Sequence, residues 1–335
     1  MSISLVAPSA RARPALRLVS TRDLNREQWL EVRRGGIGSS DAAAAVGLNP
    51  YKSALELWIE KTGQASAAPA DQDDDQSPMY WGTLLEPIVA AHYTRRTGNR
   101  VRRVNAVLAH PEHPWMMANI DREVVGAPDV QILECKTAGI NGARLWCDGV
   151  PEYVQLQVLH QLAVTGKQAA DIAVLVGGQE LRVHRIERDE TMIAQLIALE
   201  REFWQKVVDR VPPDADGSES ADSALRSLFP RDVGGTADFA GHFELDAAFR
   251  ELLALRESLE SQEARANALK QQIQQRMGTA TKALFKAGWV TWKRAADGMR
   301  LDADRLARER PDLYAAYTAP KEGSRRFVIH QQPQE

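Results

Sequence analysis

A chain of 335 residues with 44% apolar and 26% charged residues can bury a sizeable core, and this composition excludes wholesale disorder and fibrous repeats. Lys and Arg number 42 against 45 Asp and Glu, so a net charge of −3 gives no overall basic excess pointing to nucleic acid. Two cysteines, Cys135 and Cys147, are too few for a four-thiolate zinc or iron–sulfur centre, and no apolar run reaches the roughly 18 residues of a membrane span; a reducing, cytoplasmic setting is expected.

Residues 1–22 carry Arg11, Arg13, Arg17 and Arg22 and no acid. Pro8 and Pro14 interrupt any amphipathic helix, so this stretch reads as a flexible basic tail rather than a targeting helix. A helix is predicted at 25–34, with Trp29 and Val32 on one side, broken by Gly35, Gly36 and Gly38. A second helix at 41–46 stops at Gly47, Asn49 and Pro50, and Ser53 caps a third at 55–61 that ends at Gly63. Residues 64–78 form an acidic loop with four Asp and no base, expected to be disordered. A longer helix at 84–97 closes at Gly98.

Alternating β-rich stretches follow at 101–108, 116–125 and 130–137, then a helix at 153–164, strands at 172–176 and 181–186, and a helix at 190–208. Residues 23–210 thus read as an α/β domain, a mixed central sheet flanked by helices. Residues 211–240 read as a linker, opening with an acidic stretch at 211–224. Residues 241–335 contain a long helix at 245–277, with Leu252, Leu259, Ala266 and Ile273 at one heptad position and Leu255 and Leu269 at the other. Strands at 289–293 and 326–329 around a helix at 302–308 complete a helical, partly coiled-coil C-terminal region with a small β element.

The acidic segments at 64–78 and 211–224 each hold four acids and no base, so the remainder of the chain is net +5, and residues 79–110 carry five bases against one acid. The near-neutral total averages acidic linkers with a basic surface and does not exclude DNA.

The stretch 116–137, MMANIDREVVGAPDVQILECKT, places two β-patterned runs around Gly126-Ala127-Pro128-Asp129, strong turn chemistry. A hairpin symmetric about the Ala127–Pro128 junction sets Asp121 opposite Glu134, with Lys136 on the face of Glu134 and Cys135 on the other. Two adjacent carboxylates repel and call for a cation, and their hard oxygens favour Mg²⁺ or Mn²⁺, with the Cys135 backbone carbonyl as a third ligand. Such an ion activates water, and Lys136 would orient that water or stabilise the charge building on a phosphate.

This stretch resembles the core of the PD-(D/E)XK nucleases, with Asp121 followed by Glu134-Cys135-Lys136. Pro128-Asp129 fits the pattern literally, but Asp129 falls in the turn, poorly placed to face Glu134. Further motifs match in order over roughly 25–210: Trp29 through Asp41 (WLEVRRGGIGSSD), Gly47 through Tyr51, Leu57 through Gly63, Trp81 through Pro87 (WGTLLEP), and Pro151 through Gly166 (PEYVQLQVLHQLAVTG). Together they resemble the YqaJ-type viral recombinases, relatives of lambda exonuclease. The resemblance implies a restriction-endonuclease-like fold and a metal-dependent deoxyribonuclease, a 5′ to 3′ exonuclease on double-stranded DNA ends that supplies single strands for phage-type recombination.

By the same resemblance, Glu86 reaches the metal directly or through water, Arg33 and Ser40 grip a 5′ phosphate, and Gln157 holds Lys136 or a DNA phosphate, with Gln161 one turn on as the alternative DNA contact. Arg95 and Arg96, with Arg100, Arg102 and Arg103, are either a solvated run or a DNA-backbone patch. A single-strand annealing protein is the implied partner, and a homo-oligomer is open. His160 reads as a surface or packing residue, and His110 and His113, beside Pro111 and Pro114, as part of a rigid loop.

Ile120 stands where the family name has Pro, and the hairpin is longer than in lambda exonuclease. Two rivals stay open: an endonuclease, or a repair or defence nuclease, of the same fold, and a non-catalytic DNA-binding protein.

Overall fold

The computed structural model describes residues 15–22, 24–64, 77–320 and 323–330. The predicted tail lies outside these residues up to 14, as does the acidic loop over 65–76. The chain forms two units, Met1–Pro230 and Arg231–Glu335.

The first unit runs β1 (Leu16–Ser20), α1 (Arg26–Arg34), β2 (Ile37–Gly38), a 3₁₀ turn (Ser39–Asp41), α2 (Ala42–Ala45), α3 (Ala54–Thr62) and α4 (Pro78–Thr97). Then come β3 (Arg100–Arg103), β4 (Ala106–Ala109), β5 (Met116–Ala118), β6 (Arg122–Val125), β7 (Ile132–Ala138), α5 (Glu152–Thr165), β8 (Ala169–Val176), β9 (Glu180–Glu187), α6 (Glu190–Val208) and α7 (Glu219–Leu228). Asn25, Ser53 and Ser77 accept backbone N–H bonds at the starts of α1, α3 and α4, and Gly63, Gly98 and Gly166 end α3, α4 and α5 with positive φ.

A five-stranded mixed sheet, in the order β3-β6-β7-β8-β9, carries the candidate site. Only β7 and β8 run parallel, joined through α5. Alternation splits β7 between two layers: Leu133 packs with Val89, Ala90 and Tyr93 of α4, while Ile132 packs with Val154, Val158 and Leu162 of α5. Glu134 and Lys136 follow Ile132 onto the α5 face. On α5, buried His160 sits 2.7 Å from Glu200 of α6 and 2.9 Å from the Met117 carbonyl, the packing role expected of it.

Two predicted strands are each divided. Residues 101–108 split into β3 and β4, and 116–125 into β5 and β6, because the chain passes between the five-stranded sheet and a second sheet of order β1-β4-β5-β2. The Asn119 side-chain amide spans this crossing, donating to the Ala106 carbonyl at 3.2 Å. The supposed tail supplies β1, which pairs antiparallel with β4. The supposed linker supplies α7, which docks on α3: Ser220 Oγ accepts from the Ser53 amide at 2.7 Å, and Ala221 and Ala224 are buried.

In the second unit α8 (Phe243–Met277) is a 35-residue helix with no buried residue, and its seam residues Leu255, Leu259 and Leu269 are exposed. The predicted strand at 289–293 corresponds to β11 (Gly288–Thr291), which pairs with β10 (Lys282–Phe285) in a hairpin. Residues 326–329 form no strand, since nothing among the described residues pairs with them. Two short helices, α9 (Ala303–Glu309) and α10 (Pro311–Tyr317), cover the predicted 302–308 helix and extend beyond it. No helix among the described residues is long and apolar enough to cross a membrane.

Candidate active site

The β6–β7 hairpin pairs Arg122 with Leu133 and Glu123 with Ile132, the register that symmetry about Ala127–Pro128 requires. One step further along it, Asp121 stands opposite Glu134. Asp121 Oδ2 accepts the Cys135 backbone N–H at 2.8 Å, so the acid is pinned to the neighbouring strand. Asp129 is turned away in the turn, held by Arg185 at 2.5 Å.

Glu134, only 3% exposed, is enclosed by polar partners. Lys136 Nζ lies 2.7 Å from its Oε1, Gln157 Nε2 donates to the same oxygen at 2.6 Å, and Gln161 Nε2 donates to Oε2 at 2.8 Å. Lys136 also donates to Gln157 Oε1 at 2.9 Å, which closes a ring of Glu134, Lys136 and Gln157. The two glutamines are one helical turn apart on α5, so one face braces both carboxylate oxygens. Gln161, expected as a DNA contact, is fully buried in this structure, where it braces Glu134 instead of facing solvent. Its Oε1 has no hydrogen-bond partner.

Burial raises the Asp121 carboxyl from its ordinary 3.8 to about 8, and the Glu134 charge adds to the rise against the opposing Cys135 amide and Lys136. For Lys136, burial favours the neutral amine, but the charge and hydrogen bond of Glu134, with Asp121, outweigh it and hold the ammonium above its usual value. A repelling acid pair beside an unsatisfied amide oxygen suits a hard cation. Among the described residues no three acid, His or Cys side chains form a preassembled cage. Mg²⁺ commonly binds through one or two carboxylates, keeping waters and substrate phosphates for its other positions, so the donor set fits. Asp121, Glu134 and the Cys135 carbonyl would hold the ion.

Glu86 of α4 lies near Asp121 but is engaged elsewhere: Arg122 donates to its Oε1 at 2.5 Å and to the Asp121 carbonyl at 2.7 Å. Glu86, expected to reach the metal directly or through water, is ion-paired with Arg122 in this structure. Arg122, only 7% exposed, gave no sequence signal beyond its adjacency to Asp121. Tyr153 lies one turn before Gln157 on the same helix face. Its ring meets Tyr51 edge to face at 5.7 Å.

A carboxyl with its pKa raised by burial is protonated near neutrality, which favours the metal-free fold below about pH 4 and loses that contribution as pH rises towards 8. Metal binding needs the carboxylate and releases the proton. The affinity for Mg²⁺ or Mn²⁺ is therefore expected to climb by up to about tenfold per pH unit below pH 8. Thermal melts of the DNA-free protein with and without metal check this: a melting-point gain equal at pH 6 and pH 8 contradicts it.

A second polar cluster forms where α1 meets the 3₁₀ turn. Arg33 donates to Ser40 Oγ at 3.0 Å and to Asp41 Oδ1 at 2.7 Å, and its guanidinium lies 4.9 Å from the Trp29 ring centre. Lys61 of α3 donates to Asp41 Oδ2 at 2.7 Å and to the Arg33 carbonyl at 2.8 Å. Gly36 permits this arrangement, since a Cβ there would lie 2.4 Å from the Trp115 carbonyl oxygen beside the parallel β2–β5 pair. The structure thus brings together Arg33 and Ser40, the two residues expected at a phosphate seat. Arg95 and Arg96 are exposed at the end of α4, where Arg96 donates to the Leu181 carbonyl, and no contact joins them to the carboxylates.

Residues 28–168 match the family model described as the YqaJ-like viral recombinase domain. The uncharacterized protein YqaJ of Bacillus subtilis (strain 168) is 36% identical over 305 residues, covering 89% of this chain and 92% of that protein. An alkaline exonuclease (LHK-Exo) from Laribacter hongkongensis is 23% identical, with 55% of this chain and 94% of that chain covered at a TM-score of 0.45. A phage related exonuclease from Haemophilus somnus 129PT is 10% identical, with 52% and 96% covered at a TM-score of 0.39. The identity and reach of the Bacillus relative place this chain in the YqaJ-like viral recombinase family.

Proposed function

We propose that the protein is a metal-dependent deoxyribonuclease that digests double-stranded DNA from its ends, 5′ to 3′, leaving single strands for recombination. The observation that carries this reading is the closed ring of Glu134, Lys136 and Gln157 with Asp121 across from it. Mg²⁺ or Mn²⁺, when bound, supplies Lewis-acid stabilisation of the phosphate and lowers the pKa of a bound water.

The chain's own groups do the rest. Gln157 and Gln161 hold Glu134 in one rotamer. Lys136 keeps its proton and presents N–H donors where charge builds on the phosphate or where a water must be oriented. Gln157 fixes the direction of that ammonium. Arg122 keeps Glu86 close to Asp121, in reserve as a ligand.

Arg33 and Ser40 favour an exonuclease over an endonuclease: a guanidinium and a hydroxyl side by side suit a terminal phosphate. A single-strand annealing protein is the partner that would consume the product.

The test is digestion of end-labelled linear duplex, with or without a 5′ phosphate, and of closed circular DNA, in Mg²⁺ or EDTA. Mononucleotide release from 5′-phosphorylated ends, abolished by EDTA and losing its phosphate preference in R33A, is expected. Cutting of closed circles would sink the exonuclease reading.

A further inference from the structure

Helix α8 is the longest helix among the described residues, and none of its 35 residues is buried. The other helices of the second unit, α9 and α10, have seven residues each, too few to cover it. Its apolar residues keep a heptad frame from end to end. Leu245, Leu252, Leu259, Ala266 and Ile273 occupy the a positions, and Ala248, Leu255, Gln262, Leu269 and Arg276 the d positions. Leu245, Leu255, Leu259 and Leu269 are 43–57% exposed, so a stripe about 50 Å long faces solvent. The polar Gln262 in that stripe donates to Ser258 Oγ at 3.0 Å, which satisfies part of its amide within the helix.

The charges flanking the stripe select its partner. Arg256, Glu263 and Lys270 stand at e positions, and Glu251 and Arg265 at g positions. Glu263 has no base three or four positions away on its own helix, and among the described residues neither it nor Arg256 makes an ion pair. A parallel, in-register pair would set each g residue beside the e residue five places on, and so Arg265 beside the partner's Lys270. In an antiparallel pair a faces d and e flanks e. The register that sets Leu252 opposite the partner's Leu269 then places Arg256 beside the partner's Glu263, twice by symmetry, with no like charges facing each other. It also opposes Leu255 to the small Ala266 and Ile273 to the small Ala248, and overlaps the two helices from Glu244 to Met277. A shift of one heptad in either direction sets Arg256 against the partner's Arg256 or against the partner's Lys270.

The far end of the stripe carries a receptacle. A cavity of about 450 Å³ lies between α8 and the β10–β11 hairpin, lined by Gln272, Ile273, Arg276 and Met277 with Leu284 and Phe285. All four of its α8 residues are a, d, e or g residues of the same frame. The antiparallel register brings the partner's Leu245 level with Arg276 and the partner's Phe249 level with Gln272, at this cavity, and both apolar side chains are at least 40% exposed.

We propose that α8 binds the α8 helix of a second copy of this chain, antiparallel and in this register, making the protein a dimer through its second unit. Exposed leucines, the Arg256–Glu263 complement and the cavity for an apolar side chain all meet in that one arrangement. The proposal goes beyond the nuclease reading and does not depend on it.

The experiment is sedimentation equilibrium of the full chain, without DNA or metal, at about 1–100 µM. Wild type is expected to be a dimer. R256E and E263R each turn two attractive contacts into repulsive ones, and each is expected to raise the dissociation constant about tenfold. An equimolar mixture of R256E and E263R is expected to regain the wild-type constant, because each mixed dimer again sets opposite charges side by side. R256E/E263R is expected to regain it alone. Both positions are exposed, so the helix content by circular dichroism stays at the wild-type value.

A monomeric or trimeric wild type overturns the proposal, as does a dimer indifferent to both single variants. A mixture no tighter than its components overturns it too, since a parallel pair sets Arg256 beside the partner's Glu251 and Glu263 beside the partner's Ser258, and mixing the variants then restores nothing. Each of these outcomes leaves the nuclease reading untouched.

Discussion

K136A is expected to cleave DNA about 10²–10³-fold more slowly than wild type while keeping its fold and its metal affinity. The ammonium sits between Glu134 Oε1 and Gln157 Oε1, and its loss removes donors at the reacting phosphate while Glu134 retains two amide donors. E134Q fails for a different reason. A neutral amide cannot bind a divalent cation as a carboxylate does, and its NH₂ group must meet the Nε2 donor of Gln157 or Gln161. The two variants therefore separate in a thermal melt with added Mg²⁺ or Mn²⁺: K136A keeps the metal-dependent rise and E134Q loses it, although neither cuts efficiently. Wild-type cleavage by K136A would refute the role given to the lysine.

The second large effect is on stability. Asp41 and Lys61 form an ion pair at 2.7 Å with side chains only 4% exposed, and Arg33 completes the cluster. Removing one member of such a pair costs about 3–5 kcal/mol, because the other charge stays buried without compensation. D41N is expected to lose that much in urea unfolding. D41N/K61M, which removes both charges, is expected to recover most of it. A D41N variant within about 0.5 kcal/mol of wild type would contradict the assignment.

The acid limb of stability follows from the same cluster. Burial alone would raise the Asp41 carboxyl, but Arg33 and Lys61 outweigh it and hold the carboxyl well below its ordinary value. Burial, with the neighbouring Arg33 charge, lowers the Lys61 ammonium against the opposing pull of Asp41. A depressed carboxyl contributes fully above its unfolded pKa, near 3.9, and its contribution is lost as pH falls below that towards the folded value. D41N should therefore have a flatter stability profile than wild type below about pH 4.

The central hairpin was legible because turn chemistry and period-two alternation act together. Gly126 through Asp129 fixed the turn, the turn fixed the register, and the register set Asp121 rather than Asp129 against Glu134. Helix ends were legible wherever Ser53, Gly63 or Gly98 supplied a cap. The division of 101–108 and 116–125 between two sheets was not, since apolar alternation continues through both crossings and only tertiary pairing breaks them. The helix α7 was hidden by its acids and small residues, which resemble a linker until Ser220 and the buried alanines find α3. The burial of Gln161 was equally hidden, because a polar residue one turn from Gln157 reads the same whether it braces a carboxylate or faces solvent.

The crossing at Asn119 through Asp121 has a mechanical meaning. β5 ends at Ala118 in one sheet and β6 begins at Arg122 in the other, so Asp121 belongs to neither. Its carboxylate is tied to β7 by the Cys135 amide, whereas Glu134 is embedded in the ladder between β7 and β8. The acid pair thus joins a member set inside a strand ladder to one held at the crossing by a side-chain hydrogen bond. The spacing between them can adjust by rotation about one side chain without disturbing a single strand pairing.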